Sequence, residues 1–303
     1  MASYTYPIAH PSGTLTEAQI HSILSNNQVV AKKVATLADQ KFLSDYLLSA
    51  RLTAQGGGIF YESGESVFGT APEQVAAGAE YPLTVLSPGE ILAAKTVKWG
   101  RDTLITDERI AQSGQAALDR PLLRLANSVV KTVDATAWGV ITTKVTNTYA
   151  SAAWSSIGAI TTAILAAQAQ ADALGLGINL DTVALPGTAY AKVMGLFLTA
   201  GVLPRENANP ILSGEVPANL LGVNWVTGST VTGSDPWFID REQLGGMADE
   251  KHGTGYASAG DTGAEAKSIR DDEKDAYRVR ARRVTVPVVL EPQAGLKITG
   301  ASL

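Results

Sequence analysis

Residues that commonly perform catalysis or bind metals are few in this sequence and lie far apart. The three histidines are His10, His21 and His252, and no cysteine is present. The absence of cysteine excludes disulfides, thiolate metal ligands and cysteine nucleophiles. Because no spacing places two histidines on one helical face, the sequence does not indicate a histidine-containing metal site.

Motifs for phosphate, nucleotide and acyl chemistry are missing or stand in the wrong context. The sequence has no G-x-x-x-x-G-K-[ST] phosphate loop and no G-x-S-x-G nucleophile elbow. Gly175-Leu176-Gly177 lacks the third glycine of a dinucleotide fingerprint and follows a predicted helix. The acidic run Asp271-Asp272-Glu273 is typical of a solvated turn. We therefore predict that the protein is not an enzyme and that it has no catalytic residue, metal or cofactor.

The densest positive feature lies on a long predicted strand, Ala276–Leu290. Its arginines Arg278, Arg280 and Arg282 alternate with Tyr277, Val279 and Ala281, so they share one face of the strand, and Arg283 follows directly and adds to the positive charge. The sequence leaves two interpretations of this face open. It can form ion pairs with a neighbouring subunit or touch DNA weakly, or it can be a solvent-facing strand edge that charge protects from unwanted pairing.

The composition limits the classes of partner. Charged residues make up 17% and aromatic residues 6% of the 303 residues, whereas 45% are hydrophobic. The low fraction of charged residues indicates either an alanine-rich compositional bias of the source genome or a surface that is buried against other copies of the chain. The net charge of −5 and the lack of a basic tail argue against sequence-specific DNA binding but allow enclosure of DNA. No signal peptide is visible in Met1–Gly13, and no run approaches the roughly 20 apolar residues of a membrane span.

The first part of the chain is predicted to be an arm. Met1–Gly13 contains two prolines and is expected to be extended. Thr14–Glu17 matches a capping box, which predicts a helix to about Leu24. Asn26 or Asn27 can cap a second helix, whose apolar stripe is narrow and needs another surface to cover it. That stripe consists of Val30, Val34 and Leu37.

A long β-hairpin is predicted to follow the arm. Gly56–Gly58 is a strong breaker, and Ile59–Phe68 then alternates between apolar and polar residues as a strand does. Tyr81–Leu86 and Ile91–Trp99 are predicted as the returning strands. Since an isolated two-stranded ribbon is marginally stable, this hairpin must lean on another surface.

Helices and a small α/β unit follow. Acidic residues in the first turn predict a helix from about Thr106, and Asp119–Pro121 is predicted to open the longest helix, with proline in its first turn, through Ile141. Another helix is predicted over Ser155–Leu174. Further along, Gly253–Gly263 is predicted to be a flexible loop. The five tryptophans are scattered along the chain, and we expect them to act as core or interface anchors. The predicted elements of the α/β unit are Asp181–Leu185, Thr188–Thr199, Val223–Val226 and Trp237–Ile239, with a polar turn joining the last two strands.

The order of these elements resembles the Hong Kong 97-type major capsid protein fold of tailed bacteriophages, as in phages of actinobacteria. Asp181–Pro186 followed by a helix, Leu220–Val226 and Asp275–Arg282 are similar to elements of that family. The resemblance implies an α+β fold over nearly the whole chain. Its implied parts are an N-terminal arm at 1–55, an E-loop at 56–98, a P domain at 99–178 with a spine helix at about 119–141, an A domain at 179–263 and return strands of the P domain at 264–303.

The resemblance implies a virion protein that self-assembles in the host cytoplasm into an icosahedral shell of pentamers and hexamers. Its implied partners are other copies, a portal, separate scaffold and decoration proteins, and packaged double-stranded DNA held by non-specific contact; no membrane is involved. An encapsulin-like bacterial nanocompartment and an α+β enzyme with a divergent site are the alternatives. The segment before the hairpin is too short for a fused scaffolding domain, so the resemblance implies either a separate scaffold or self-directed assembly. The candidate intersubunit contacts are Val30, Val34, Leu37, Phe60, Tyr61, Glu62, Glu65, Phe68, Arg278, Arg280 and Arg282.

Covalent cross-linking is not expected. Some members of the resembled family join a hairpin lysine to an asparagine of a neighbour, with a glutamate as catalyst. Gly56–Ala94 contains no lysine, and Lys95 and Lys98 lie at the base of the returning strand. Because lysine is a weak nucleophile unless burial lowers its pKa, the sequence predicts a shell held together without isopeptide bonds.

Overall fold

The structure, a computed structural model, describes residues 15–39, 42–64, 74–81, 83, 89–199, 219–253, 255–258 and 263–303. These residues divide into two compact units, each assembled from three stretches of the chain. The first unit comprises the described residues within 1–41, 98–130 and 251–284. The second unit comprises those within 42–97, 131–250 and 285–303.

Helices and strands both contribute to the described part of the chain, as an α+β fold requires. The α-helices there are α1 (Glu17–Ser25), α2 (Asn27–Asp39), α3 (Leu43–Leu47), α4 (Asp107–Ser113), α5 (Gln115–Lys144), α6 (Ile157–Asp172) and α7 (Gly187–Thr199). The strands there are β1 (Ala50–Thr53), β2 (Gly58–Ser63), β3 (Glu90–Lys95), β4 (Val97–Thr106), β5 (Thr148–Ala150), β6 (Thr182–Leu185), β7 (Asn219–Leu220), β8 (Val223–Thr227), β9 (Trp237–Ile239), β10 (Gly245–Asp249), β11 (Ala257–Ser258), β12 (Ala264–Asp271), β13 (Ala276–Val289) and β14 (Gly295–Thr299).

The capping box of α1 begins two residues later than we predicted. Two overlapping S/T-x-x-E/Q patterns start at Thr14 and Thr16, and α1 uses the second. The Gln19 N–H donates to the Thr16 hydroxyl, and the Thr16 N–H donates to Gln19 Oε1 at 3.0 Å. Thr14 itself lies outside the described residues. Asn26 caps α2, since its side-chain oxygen accepts from the Gln28 N–H at 3.0 Å.

In the first unit, helix α2 packs on a strand of an antiparallel sheet. β12 pairs with the N-terminal part of β13 in a register from Ala264 opposite Arg283 to Asp271 opposite Ala276. β11 pairs with the other edge of β12, and α2 lies against β11 and β12. The predicted loop Gly253–Gly263 therefore includes a short strand, β11. The acidic residues predicted as a turn form a 3₁₀ turn that connects β12 to β13.

Helix α5 contains the predicted spine helix and begins four residues before it. Pro121 consequently lies inside the helix rather than in its first turn, which corrects the prediction. Gly114, at φ 51°, ends α4, and the chain re-enters a helix at once. The earlier start buries Ala117 and Leu118 completely. Burial of these side chains offsets the loss of the one backbone hydrogen bond that proline cannot donate.

The second unit contains a mixed sheet whose described strands follow the order β5-β14-β9-β6-β8-β7. The predicted β6, α7, β8 and β9 are all present, but β8 and β9 are not neighbours. β6 lies between them, parallel to β8 and antiparallel to β9. β14 pairs with β9, so a strand that we assigned to the P domain joins strands of the predicted A domain.

Aromatic packing in the second unit agrees with core anchoring of the tryptophans. Trp138 meets Trp237 edge to face with ring centroids 5.6 Å apart, and Trp154 meets Trp225 at 6.4 Å. All four are buried. The fold therefore pairs residues that are scattered along the chain: Trp138 of α5 with Trp237 of β9, and Trp154, which follows β5, with Trp225 of β8.

Strand β10 was not predicted because its sequence lacks strand-forming residues. β10 starts with Gly245-Gly246, and glycine is depleted in strands. The structure gives the reason for glycine here: a Cβ on Gly246 would lie 2.3 Å from the Ala50 carbonyl oxygen of β1. β10 is thus held between β1, to which it is parallel, and the C-terminal part of β13, to which it is antiparallel.

A buried carboxylate of α5 caps helix α3 within the second unit. Phe42 precedes α3 and offers no side-chain acceptor. Asp134 accepts instead from the backbone N–H groups of Leu43 at 3.2 Å and Ser44 at 2.9 Å. Burial raises the pKa of the Asp134 carboxyl, and the hydrogen bonds from Ser44 and Leu43 oppose that rise.

Candidate intersubunit surfaces

The predicted hairpin is present as the antiparallel pair β2–β3. Phe60 is opposite Ala93 and Glu62 is opposite Ile91, so these four side chains share one face. Ile59, Tyr61 and their opposite residues lie on the other face. Of the predicted returning strands, Ile91–Trp99 is confirmed as β3 and the start of β4. The described residues of Tyr81–Leu86, which are Tyr81 and Leu83, do not lie in a strand.

One face of this hairpin packs on the second unit. Ile59, Tyr61 and Ala94 pack against a buried cluster of Ala54, Ala248 and Val288. Burial raises the pKa of the Tyr61 hydroxyl, and the nearby Glu90 carboxylate raises it further. The hairpin therefore leans on another surface, as its low stability in isolation requires, and that surface belongs to the same chain.

Glu250 fixes the base of the hairpin. Its carboxylate accepts from the Gly57 N–H at 3.1 Å and from the Thr96 hydroxyl at 2.7 Å. Gly57 lies just before β2 and Thr96 just after β3. One carboxylate thus holds the two ends of the hairpin to the end of β10, and hydrogen bonds to a charged group are among the stronger ones.

The opposite face, which we call the exposed hairpin face, consists of Phe60, Glu62, Ile91 and Ala93. Phe60 is 81% and Ile91 is 74% exposed. Large apolar side chains on one open face are typical of an interaction surface. Glu62 is also exposed, and one of its oxygens accepts from the Gly89 N–H. The segment from 56 to 94 contains five glutamates and no lysine or arginine, so the hairpin is acidic as well as apolar.

The arginines of β13 are paired within the chain, with partners that neither interpretation of this face included. Arg280 forms two hydrogen bonds with Asp102 of β4, at 2.6 and 2.8 Å, and Arg278 adds a third contact at 2.7 Å. The hydrogen bonds and charges of these arginines hold the pKa of Asp102 below its usual range. β13 lies between β4 and β12, so it is not a strand edge either.

Arg282 is buried and paired with Glu265 of β12, and both residues are less than one-tenth exposed. Its Nε lies 2.7 Å from Glu265 Oε2, its Nη2 donates to the His252 carbonyl at 3.0 Å, and its guanidinium lies 3.4 Å from the ring centre of Tyr256. Alternation along the strand predicted a common face for the arginines correctly. The acids that cover this face were not predicted, because they come from other strands: Glu265 from β12 and Asp102 from β4, which is distant in the sequence. We call Arg278, Arg280, Arg282, Asp102 and Glu265 the arginine network.

The apolar stripe of the arm is also largely covered within the chain. Val30 and Val34 are buried, and α2 packs on β12 of the same unit. The surface that covers this stripe therefore belongs to the same chain. Leu37 is half-buried. Glu65 and Phe68, the remaining predicted contacts, lie outside the described residues.

The remaining features of the described part of the chain are two absences and one cleft. No group of three or more potential metal ligands occurs there, and no helix there is long and apolar enough to cross a membrane. A cleft that no sequence pattern predicted is formed by α4, α5 and β4 in the first unit. Its lining arginines are Arg101, Arg109, Arg120 and Arg124.

Comparison with solved structures shows the same fold in other proteins. The capsid of Cyanophage P-SCSP1u matches with a TM-score of 0.57 at 12% identity, covering 82% of this chain and 85% of that chain. The virus-like particle of Pyrococcus furiosus matches with a TM-score of 0.58 at 8% identity, covering 89% and 97%. Mycobacterium phage Ogopogo matches with a TM-score of 0.52 at 13% identity, covering 84% and 91%.

Sequence comparison identifies the family. No curated protein matches the sequence significantly. The family model described as phage capsid protein, however, matches residues 89–298, from the start of β3 to near the end of β14. The α+β fold predicted from the order of elements agrees with this match and with the capsid structures. Because the match covers more than half of the chain, the protein belongs to the phage capsid protein family.

Proposed function

We propose that this chain is the major capsid protein of a tailed phage, and that its copies assemble into a closed icosahedral shell around double-stranded DNA. The observation that carries this proposal is the hairpin, whose inner face is packed on its own unit while the exposed hairpin face presents Phe60 and Ile91 to solvent. Membership of the phage capsid family supplies the class of partner, which is another copy of the chain.

Assembly would bring the exposed hairpin face against a neighbouring subunit. Burial of Phe60 and Ile91 would stabilise the contact by about 25 cal/mol for each Å² of apolar surface removed from water. Glu62 is proposed to approach an arginine of the neighbour. Arg278 is the best candidate of the three on β13, since its side chain is 51% exposed although it contacts Asp102. An exposed pair of this kind contributes about 0–1 kcal/mol, which many repeats in a shell would multiply.

Further partners follow from the same proposal. A shell that is filled with DNA needs a portal, and its assembly would be guided by a separate scaffold or would be self-directed. Decoration proteins would bind outside. The particle would form in the host cytoplasm, and the protein would become part of the virion. Packaged DNA would contact the shell without sequence preference, consistent with the net charge of −5.

Electron microscopy and light scattering of the purified full-length protein test the proposal. Pentamers, hexamers, tubes or large closed shells are expected. A stable monomer at all protein and salt concentrations would contradict it. Small uniform shells loaded with a host protein would instead favour an encapsulin-like nanocompartment, and a small particle that turns over a substrate would favour an α+β enzyme.

The role of Glu62 has its own test. Reversal of its charge in Glu62→Lys is expected to slow assembly at low salt, and combination with Arg278→Glu is expected to restore part of the rate. If assembly does not depend on salt, apolar contacts dominate the interface and the proposed ion pair is wrong.

A further inference from the structure

A cleft in the first unit concentrates positive charge on an acidic protein. Its volume is about 430 Å³, and the acid and the hydroxyls in its lining are Asp102, Thr103 and Ser128. Four arginines also line it, of which Arg101 and Arg109 come from β4 and α4. The other two come from the first half of α5. We call this set the arginine cleft.

The charges of these arginines are not neutralised within the described part of the chain. Arg109, Arg120 and Arg124 form no ion pair there, and all three are exposed. Arg101 donates to the Ser128 hydroxyl at 3.4 Å, which turns it toward α5. Asp102, the acid of the cleft, is already shared by two arginines of β13.

The acid next to Arg120 in the sequence is also occupied. Asp119 pairs with Lys33 of the arm and accepts from the Gln115 side chain at 3.1 Å. Like charges in one cleft repel each other unless an anion enters between them. The arrangement therefore favours an anionic ligand with several charges.

The spacing of the arginines suits a polyphosphate. Arg120 and Arg124 are one helical turn apart on one face of α5, which places them about 6 Å apart along the helix axis. Duplex DNA carries one negative charge for about 1.7 Å of its axis. A guanidinium group can bind two oxygens of one phosphate at once. Several phosphates of one duplex can thus reach the cleft together.

The acidic hairpin of a second copy is the competing ligand, and the register makes it a poorer one. Glu62 is opposite Ile91, whereas Glu90 is opposite Ser63, so the two carboxylates point to opposite faces of the hairpin. Only one of them can therefore enter a cleft with a given face. Glu62 is moreover already hydrogen-bonded to the Gly89 N–H.

We propose that the arginine cleft binds backbone phosphates of the packaged duplex DNA, an inference that rests on the proposed function. The site is expected to have no sequence preference, because contacts to backbone phosphates carry no sequence information. The contact is local: four arginines bind the duplex while the acidic remainder of the surface repels it. Each subunit thereby binds DNA at one site, and the rest of its surface does not bind it.

The test measures binding of a fluorescein-labelled 20-base-pair duplex to the full-length protein by fluorescence anisotropy between 50 and 200 mM NaCl. With four phosphate contacts the affinity should fall about 150-fold over this range, because the slope of log K against log salt is about −0.9 for each contact. Arg120→Gln/Arg124→Gln should reduce that loss to about 12-fold. The matched control is Lys131→Gln/Lys144→Gln, which removes the same charge from exposed positions of the same helix and should behave as the unchanged protein does.

Each other outcome overturns the inference. Equal salt dependence in the cleft variant and in the unchanged protein places the DNA contact elsewhere. If the cleft and control variants lose equal DNA affinity, the binding depends on net charge alone and not on the arginine cleft. Unchanged DNA binding with lost shell formation in the cleft variant identifies a second copy as the ligand. Shell formation by the unchanged protein is scored separately by microscopy, so failure of the proposed function is distinguished from failure of the DNA site.

Discussion

The β13 strand and the β2–β3 hairpin place their side chains in opposite ways. On β13 the arginines meet Asp102 and Glu265 inside the chain, and the intervening side chains Val279 and Ala281 are buried. On the hairpin, one face is packed and the other exposes Phe60 at 81%. The comparison indicates a division of roles: the arginine network stabilises the subunit, whereas the exposed hairpin face is available for contacts between subunits.

The comparison is tested most strongly at the buried pair of the network. Glu265→Gln keeps the shape of the side chain and leaves the buried Arg282 without its counter-charge. We expect the free energy of unfolding to fall by about 3–5 kcal/mol, measured by denaturant titration. The control is Asp272→Asn, since Asp272 also contacts an arginine, Arg270, but is 89% exposed, and it should change stability by about 0.5 kcal/mol or less. Equal effects in the two variants would contradict the role of burial.

The arm offers two adjacent valines of opposite exposure. Val30 is completely buried, whereas Val29 is 41% exposed. Val30→Ala should lower the free energy of unfolding by about 2 kcal/mol, because two methyl groups lose their apolar surroundings and leave a cavity. Val29→Ala should have almost no effect on the isolated subunit. If Val29→Ala were the more costly change, the arm would not pack as described.

The network should also respond to acid. The Arg280 hydrogen bonds lower the pKa of Asp102 in the folded chain, so its contribution is fully present above the carboxyl's ordinary pKa of about 4. That contribution is lost as the pH falls through the lowered pKa. We expect Asp102→Asn to cost about 1 kcal/mol at pH 7, and the difference from the unchanged protein to disappear in acid. A difference that is constant from pH 7 to pH 2 would show that charge plays no part.

Changes on the exposed hairpin face should leave the stability of the subunit almost unchanged. Phe60→Ser should alter the free energy of unfolding by less than about 0.5 kcal/mol and should abolish or strongly reduce shell formation, as seen by microscopy. Tyr61→Ser, on the packed face, is the matched control and should lower stability by about 1–2 kcal/mol. If Phe60→Ser forms normal shells, the exposed hairpin face does not contribute to the contact between subunits.

Covalent cross-linking is the effect that we expect to be zero. Lys95 is the last residue of β3 and lies opposite Gly58 at the hairpin base. Denaturing electrophoresis of boiled particles should therefore give one band at 31.6 kDa. A ladder of multimers would show that a lysine reaches an asparagine of another subunit. The prediction that non-covalent contacts alone hold the shell together would then be wrong.

Local patterns in the sequence determined the elements that they encode. The alternation of arginine with apolar residues predicted β13, and helical spacing of leucine and valine predicted most of α5. The triple glycine followed by Ile59 and Phe60 predicted the hairpin. Capping and period depend on residues within a few positions, so they can be read without knowledge of the fold. The order of these elements was then enough to indicate the capsid fold.

Contacts between distant segments were decided by the tertiary structure alone. No local pattern predicts that Asp102 meets Arg280, or that Gly245-Gly246 forms a strand between β1 and β13. The arginine cleft likewise needs α4, α5 and β4 to converge. Pairing of this kind depends on which segments the fold brings within a few ångströms, and a charge buried beside its partner has a different role from one left in water. The sequence alone therefore predicted a capsid protein with charged and apolar surfaces, and the structure decided which of those surfaces remain open.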